Sequence, residues 1–374
     1  MARPTLTFVC ELGRDRVEDF FADGAVVGTL QDLGARVALA LADFSPPRAQ
    51  AVRQLNDAGV PVTAIPLLPA ADGYYFTAEH PDLARGRYLE WQAWARGEGL
   101  VFAGVGLDIE PDIAVYQQMA ENARSLPKTL LLRVLDRDGP ARAAQAYREL
   151  VGEIRSDGWP VENYQFPLLA DERRVRSSGL ERLFGLVDVS TDREVWMLYS
   201  SFLRRLGPGF IWAYGLEAAA IAVGSTGGGP DIPGQPQVPA LSYDELSRDL
   251  RLAARWTDQV YVHSLEGCVD HGYLDRLAGF DWAPGKRPAL AGTAAALRMA
   301  LRGTLGTTAH LRQLELGASV AVAGLRVLRR RAARRAHGPS QEAHPARFGL
   351  SGSASVDGPS LAQSTAGCGA VPKN

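Results

Sequence analysis

Cysteine is nearly absent from the 374 residues: Cys10, Cys268 and Cys368 are the full set, with no CxxC pair and no Cys/His spacing suited to a structural zinc site. That scarcity points to a reducing compartment. Lysine is as rare, with only Lys128, Lys286 and Lys373, and none falls in a β-type run, which argues against an aldolase of the Schiff-base type. No His-x-His follows the first such run, so a common mark of metal-dependent hydrolysis on a barrel is missing. No cofactor is expected, and a metal held by His263 and His271 with Asp108 or Glu110 is only a minor alternative. The chain runs from Met-Ala-Arg-Pro-Thr straight into a short apolar strand, lacking the long apolar stretch and cleavage site of a signal peptide, so a cytoplasmic protein is expected. The longest late apolar run, Leu316 to Leu325, is too short to span a bilayer. The basic stretch from Arg329 to Arg335 reads as a solvated helix end in preference to a membrane-surface contact. A net charge of −2 gives no reason to expect nucleic acid as a partner.

What is present is a chain 46% hydrophobic and 22% charged, able to bury a full core. Eight β-type runs stand out: Thr5 to Cys10, Arg36 to Ala42, Val60 to Leu67, Val101 to Ile109, Val161 to Phe166, Val195 to Tyr199, Ala219 to Val223 and Gln259 to Ser264. Amphipathic stretches such as Pro47 to Ala58, Pro140 to Ser156 and Tyr243 to Trp256 separate them, long enough for the crossovers that parallel strands need. Eight βα units predict an α/β fold, a (β/α)₈ TIM barrel over residues 1–285. A doubly wound sheet is the competitor, but its Gly-rich first turn is replaced here by Glu11-Leu-Gly-Arg-Asp. Residues 286–336 read as a C-terminal helical extension, and 337–374, rich in Ser, Gly, Pro and Ala, as a disordered tail.

In such a barrel the chemistry gathers at the C-terminal ends of the strands. The fourth run ends Gly104-Val-Gly-Leu-Asp108-Ile-Glu110-Pro-Asp112, and alternation puts Gly104, Gly106, Asp108 and Glu110 on one face. Two neighbouring carboxylates do not both ionise cheaply, so one keeps its proton near neutral pH and can act as a general acid. Asp108-Ile-Glu110 resembles the end of the DxxDxDxE strand of family 18 glycoside hydrolases, the chitinase-like barrels. The resemblance implies Glu110 as the acid and Asp108 as the residue that orients a substrate N-acetyl group, itself the internal nucleophile. Trp196-Met197-Leu198-Tyr199 is similar to the family's Met-x-Tyr, which implies that Met197 lies at the site and that the Tyr199 hydroxyl contacts the same group. The first two Asp positions of the motif hold Ala103 and Gly106, no Ser-x-Gly-Gly follows the third strand, and the eighth lacks the family's tryptophan.

Glu11 ends the first strand and Glu266 follows the eighth; neighbours in a closed barrel, they are expected to face Glu110, as second carboxylates or as substrate contacts. Tyr164 and Gln165 on the fifth strand are candidates for binding sugar hydroxyls, and Tyr74, Tyr75 and Phe76 for stacking on a sugar ring. The expected partner is a carbohydrate or glycoconjugate substrate. Two further readings remain: a phosphosugar enzyme using the loop Gly224 to Gly229, placed where barrels bind phosphate, and a carbohydrate-binding barrel without turnover.

Overall fold

The computed structural model describes residues 3–111, 138–229, 238–307 and 309. The chain divides into Met1–Leu316 and Gly317–Asn374, and every described residue belongs to the first unit. Asp112, Lys128, the basic stretch at Arg329 to Arg335, residues 310–336 of the expected extension and the whole expected tail lie outside the described residues.

Eight parallel strands, β1 (Thr5–Cys10), β2 (Arg36–Leu41), β3 (Val62–Pro66), β4 (Gly104–Asp108), β5 (Val161–Gln165), β6 (Arg193–Met197), β7 (Ala220–Gly224) and β8 (Gln259–His263), pair in sequence order and close on themselves. Closure comes from β1 against β8, with Thr5 opposite Gln259 and Val9 opposite His263. This is the (β/α)₈ barrel that the alternating pattern predicts.

Alternation sorts each strand into two layers. Phe8 and Cys10 of β1, Leu39 and Leu41 of β2, Val105 and Leu107 of β4, Ile221 and Val223 of β7 and Val260 and Val262 of β8 face outward into the layer under the helices, each 1% exposed or less. At about 1.5–3 kcal/mol per fully buried aliphatic side chain, this layer dominates the stabilisation. The inward set is small on β2 and β7, with Ala38, Ala40, Ala220 and Ala222, and large on β5 and β8, with Tyr164 and Tyr261. Gly106 of β4 is part of that fit: a Cβ there would come 2.9 Å from the Tyr164 ring.

The lower half of the interior is a closed polar plug. Glu162 accepts hydrogen bonds from the hydroxyls of Tyr164 (2.8 Å) and Tyr261 (2.7 Å), and Arg193 lies 3.5 Å from the same carboxylate. Outside the barrel, residues 291–307 are helical. Arg298 and Arg302 of that helix reach Asp171 at 2.9 and 2.7 Å, where the Tyr214 hydroxyl also donates at 2.5 Å. Asp171 is fully buried, so three donors compensate its desolvation and fix the helix against the outer wall. Among the described residues no helix is long and apolar enough to cross a membrane.

Candidate functional site

The mouth at the C-terminal ends of the strands holds Glu11, Asp108, Glu110, Tyr199 and His263, with Tyr74 and Tyr75 supplied by the loop after β3. That loop is stitched to the end of β4: Phe76 N–H donates to the Asp108 carbonyl (3.2 Å), and Glu110 N–H donates to the Phe76 carbonyl (3.0 Å). The pairing carries Tyr74 and Tyr75 toward the carboxylates, their rings edge to face at 5.0 Å. Tyr74 has φ of +66°, a left-handed conformation uncommon for an aromatic residue and of the kind found where structure serves a site.

Asp108 ends β4 on the inward face, 6% exposed, and its Oδ1 is buried with no hydrogen-bond partner. Burial, then the negative charges of Glu110 and Glu11, push its carboxyl well above the ordinary range. Of the two adjacent carboxylates, Asp108 is thus one whose charged form its surroundings disfavour. Burial and the nearby acids Asp108, Glu11 and Glu110 likewise raise the Tyr199 phenol, and the Tyr75 phenol rises through burial, Glu110, Glu11 and Asp108. Both hydroxyls stay protonated and able to donate. The titrating groups act on one another, as a shared site requires.

His263, for which the sequence suggests only a metal-binding role, ends β8. Its Nε2 stands 3.6 Å from Glu11 Oε1, and its ring lies 5.4 Å from that of Tyr199. Burial lowers the imidazole, but the Glu11 carboxylate beside it, reinforced by the charges of Glu266 and Glu110, outweighs burial and holds His263 above its ordinary value. The signal for this group in the sequence was its position: the residue that ends β8 must neighbour the end of β1 once the barrel closes. Among the described residues no cluster of three or more His, Cys, Asp or Glu is arranged to hold a metal ion.

Five expected contacts sit differently from the expectation. Gln165 points outward, donating to the Val189 carbonyl (3.3 Å) and accepting from Arg173 (2.8 Å), because its neighbour Tyr164 takes the inward position. Tyr164 is inward, but its hydroxyl is committed to Glu162 in the plug below the mouth. Phe76 is 1% exposed in the outer layer and offers no face for stacking. Glu266 is fully buried, its Oε1 accepting from the amides of Gly229 (2.9 Å) and Glu11 (3.3 Å). The loop Gly224 to Gly229 is not a phosphate cradle: its amides at Ser225, Thr226, Gly227 and Gly229 are bonded to Ser201, His263, Ser225 and Glu266. The chain's own carboxylate occupies the place of an anion there. Met197, named through the Met-x-Tyr resemblance, packs with Tyr199 against the inward cluster.

No family model matches the chain, and no curated protein matches it. Among solved structures it is similar to a GH5_18 variant from Streptomyces cattleya in complex with Manb1-4GlcNAc, at 12% identity and a TM-score of 0.38 over 80% of each chain. A likeness of that size says nothing about which residues act.

Proposed function

We propose that the protein is a glycoside hydrolase-like enzyme that cleaves an O-glycosidic bond of a carbohydrate or glycoconjugate, N-acetylhexosamine glycosides among the candidate substrates. Glu110 is the general acid, Asp108 orients an acetamido group or the attacking water, and Tyr199 donates a hydrogen bond to the transition state, with Tyr75 bordering the substrate. One observation carries the reading above all: Asp108 is a buried carboxyl with an unpartnered oxygen, set beside Glu110 at the end of β4. Leaving a buried polar atom unpaired costs about 1–3 kcal/mol, a cost that is recovered when a ligand supplies the missing bond. The phenol hydroxyls of Tyr75 and Tyr199 line the same face with donors that cannot ionise at neutral pH. These are groups suited to hydroxyl-rich, uncharged ligands.

The test is hydrolysis of a panel of chromogenic glycosides, with and without an N-acetyl group, by the purified protein and by its Glu110→Gln variant. A loss of about a hundredfold or more in the variant, at unchanged melting temperature, is the expected result. Binding of oligosaccharides without turnover by either protein would instead mark a carbohydrate-binding barrel.

A further inference from the structure

The loop that follows β6 is pinned at both ends and exposed between them. Ser200 is buried, and its Oγ donates to the buried Asp249 carboxylate, while the Oγ of Ser201 accepts from the Ser225 amide at 2.9 Å. Gly207 closes the loop against its own start: a Cβ there would come 2.5 Å from Ser200 Cα, so only glycine permits the approach. Between these anchors Phe202, Leu203, Arg204 and Arg205 are all exposed. Arg204 takes a φ of +48°, uncommon for a residue with a side chain.

Phe202, at 60%, is the most exposed aromatic among the described residues, and Leu203 beside it is 43% exposed. A single exposed apolar side chain calls for no explanation, but this one is tied to the mouth. The Phe202 ring stacks on that of Tyr199 with centroids 6.1 Å apart and planes 26° from parallel, and Tyr199 in turn lies 5.4 Å from the ring of His263. The three rings run outward from the imidazole to the solvent-facing Phe202. The loop after β3 offers no comparable face, since Tyr74, Tyr75 and Phe76 are all buried. An aromatic face open to water, with arginine donors next to it in the chain, suits a pyranose, which has an apolar C–H face and a hydroxyl edge.

We propose that Phe202 is the platform of a second sugar subsite, stacking a pyranose next to the one whose bond is cleaved, so that the substrate is an oligosaccharide or an extended glycan. This rests on the glycosidase reading above. Tyr199 connects the two places: its hydroxyl serves the reacting sugar, and its ring supports Phe202. The anchors at Ser200, Ser201 and Gly207 fix the platform before a ligand arrives, so little ordering is lost on binding. Stacking at a distance from the reacting bond is the same in the ground state and the transition state, and it shows in KM more than in kcat.

The test compares single-sugar chromogenic glycosides with the same glycosides extended by one or two further units of glucose, mannose or N-acetylglucosamine, using the wild type, Phe202→Ala and Phe202→Trp. The wild type is expected to favour the extended substrates by about tenfold in kcat/KM, mostly through KM. Phe202→Ala should lose most of that preference at unchanged melting temperature, and Phe202→Trp should keep it. No preference in the wild type, or one that Phe202→Ala keeps within about twofold, overturns the subsite and leaves the glycosidase reading standing. An equal loss on single-sugar and extended substrates also overturns it, because the ring would then serve only to support Tyr199. Octyl glycosides favoured as much as the extended sugars, with the same loss in Phe202→Ala, would mark a platform for apolar chains and overturn the sugar assignment. Calorimetric titration with the unlabelled oligosaccharides separates the two readings. Should no glycoside be turned over, binding that weakens by about tenfold in Phe202→Ala keeps the sugar subsite and removes the hydrolase; binding that is equal in the two proteins, or absent, overturns both.

Discussion

The two halves of the barrel interior handle polar groups in opposite ways. Below, Glu162, Tyr164, Tyr261 and Arg193 form a network in which each member has a partner inside the network. At the mouth, Asp108 Oδ1, Glu266 Oε2 and His263 Nδ1 are buried without partners. Both groups sit within one sheet, so the difference is not one of fold or of local sequence quality. A satisfied buried network rigidifies a core; an unsatisfied one costs stability and persists where something outside the chain completes it. The difference is the one expected if the plug serves as scaffold and the mouth serves the proposed ligand.

Substitutions on either side can break that division. Glu162→Ala should have the largest effect on stability, about 3–5 kcal/mol in urea unfolding, because it strands a guanidinium and two tyrosine hydroxyls inside the barrel. If the cost is under about 1 kcal/mol, the plug is not the closed network described. Gly228→Ala comes next: with φ of +79° and Glu266 Cγ 2.4 Å from the new methyl, it should cost about 2 kcal/mol and raise KM by displacing the loop beside Glu11. Asp108→Asn should go the other way, raising stability at pH 7 by about 1 kcal/mol while lowering turnover. The sign follows from linkage. A carboxyl whose folded value is raised lends most stability below its unfolded value, and loses it as pH climbs toward the folded one, so the advantage of the amide variant should grow with pH. Equal stability of the two proteins across pH 4–8 would contradict the burial of a strained carboxyl at about the depth described. Gln165→Ala should be the mildest, about 1 kcal/mol in stability with kcat and KM unchanged, since its bonds run to Val189 and Arg173 on the outer wall.

Much of the scaffold was legible in the chain, for reasons that also explain the misses. Val37 to Leu41 of β2 and Ala220 to Gly224 of β7 are continuous apolar runs, and parallel strands covered on both faces read that way. The third strand begins at Val62 instead of Val60, where Pro61 has no N–H for the ladder, and the fourth at Gly104, because Val101 is exposed and its backbone is bonded to Asn56. β6 starts two residues earlier than its apolar run, at Arg193 and Glu194. Their charges hid them, yet Arg193 faces Glu162 inside and Glu194 meets Arg173 outside. At the mouth, Asp108, Glu110, Tyr199 and Glu11 could be picked out because each finishes a strand, where barrel chemistry gathers. Tyr164 and Gln165 do not share the site because successive residues of a strand face opposite ways. His263 with Glu11 was hidden for a different reason: the partners are 252 residues apart, and only barrel closure brings them together. The commitment of Glu266 to backbone amides depends in the same way on a loop from the far side of β7.

The central claim, that the mouth is an active site with Glu110 as proton donor, is tested most directly by a leaving-group series. Glycosides whose aglycones range from acidic phenols to alkyl alcohols would be hydrolysed by the wild type and by Glu110→Gln. A general acid matters most when the departing oxygen is most basic, so the loss in kcat/KM should grow by about tenfold or more from the most acidic phenol to the alcohol. A loss that is the same for every aglycone, or no loss at all, would contradict the assignment.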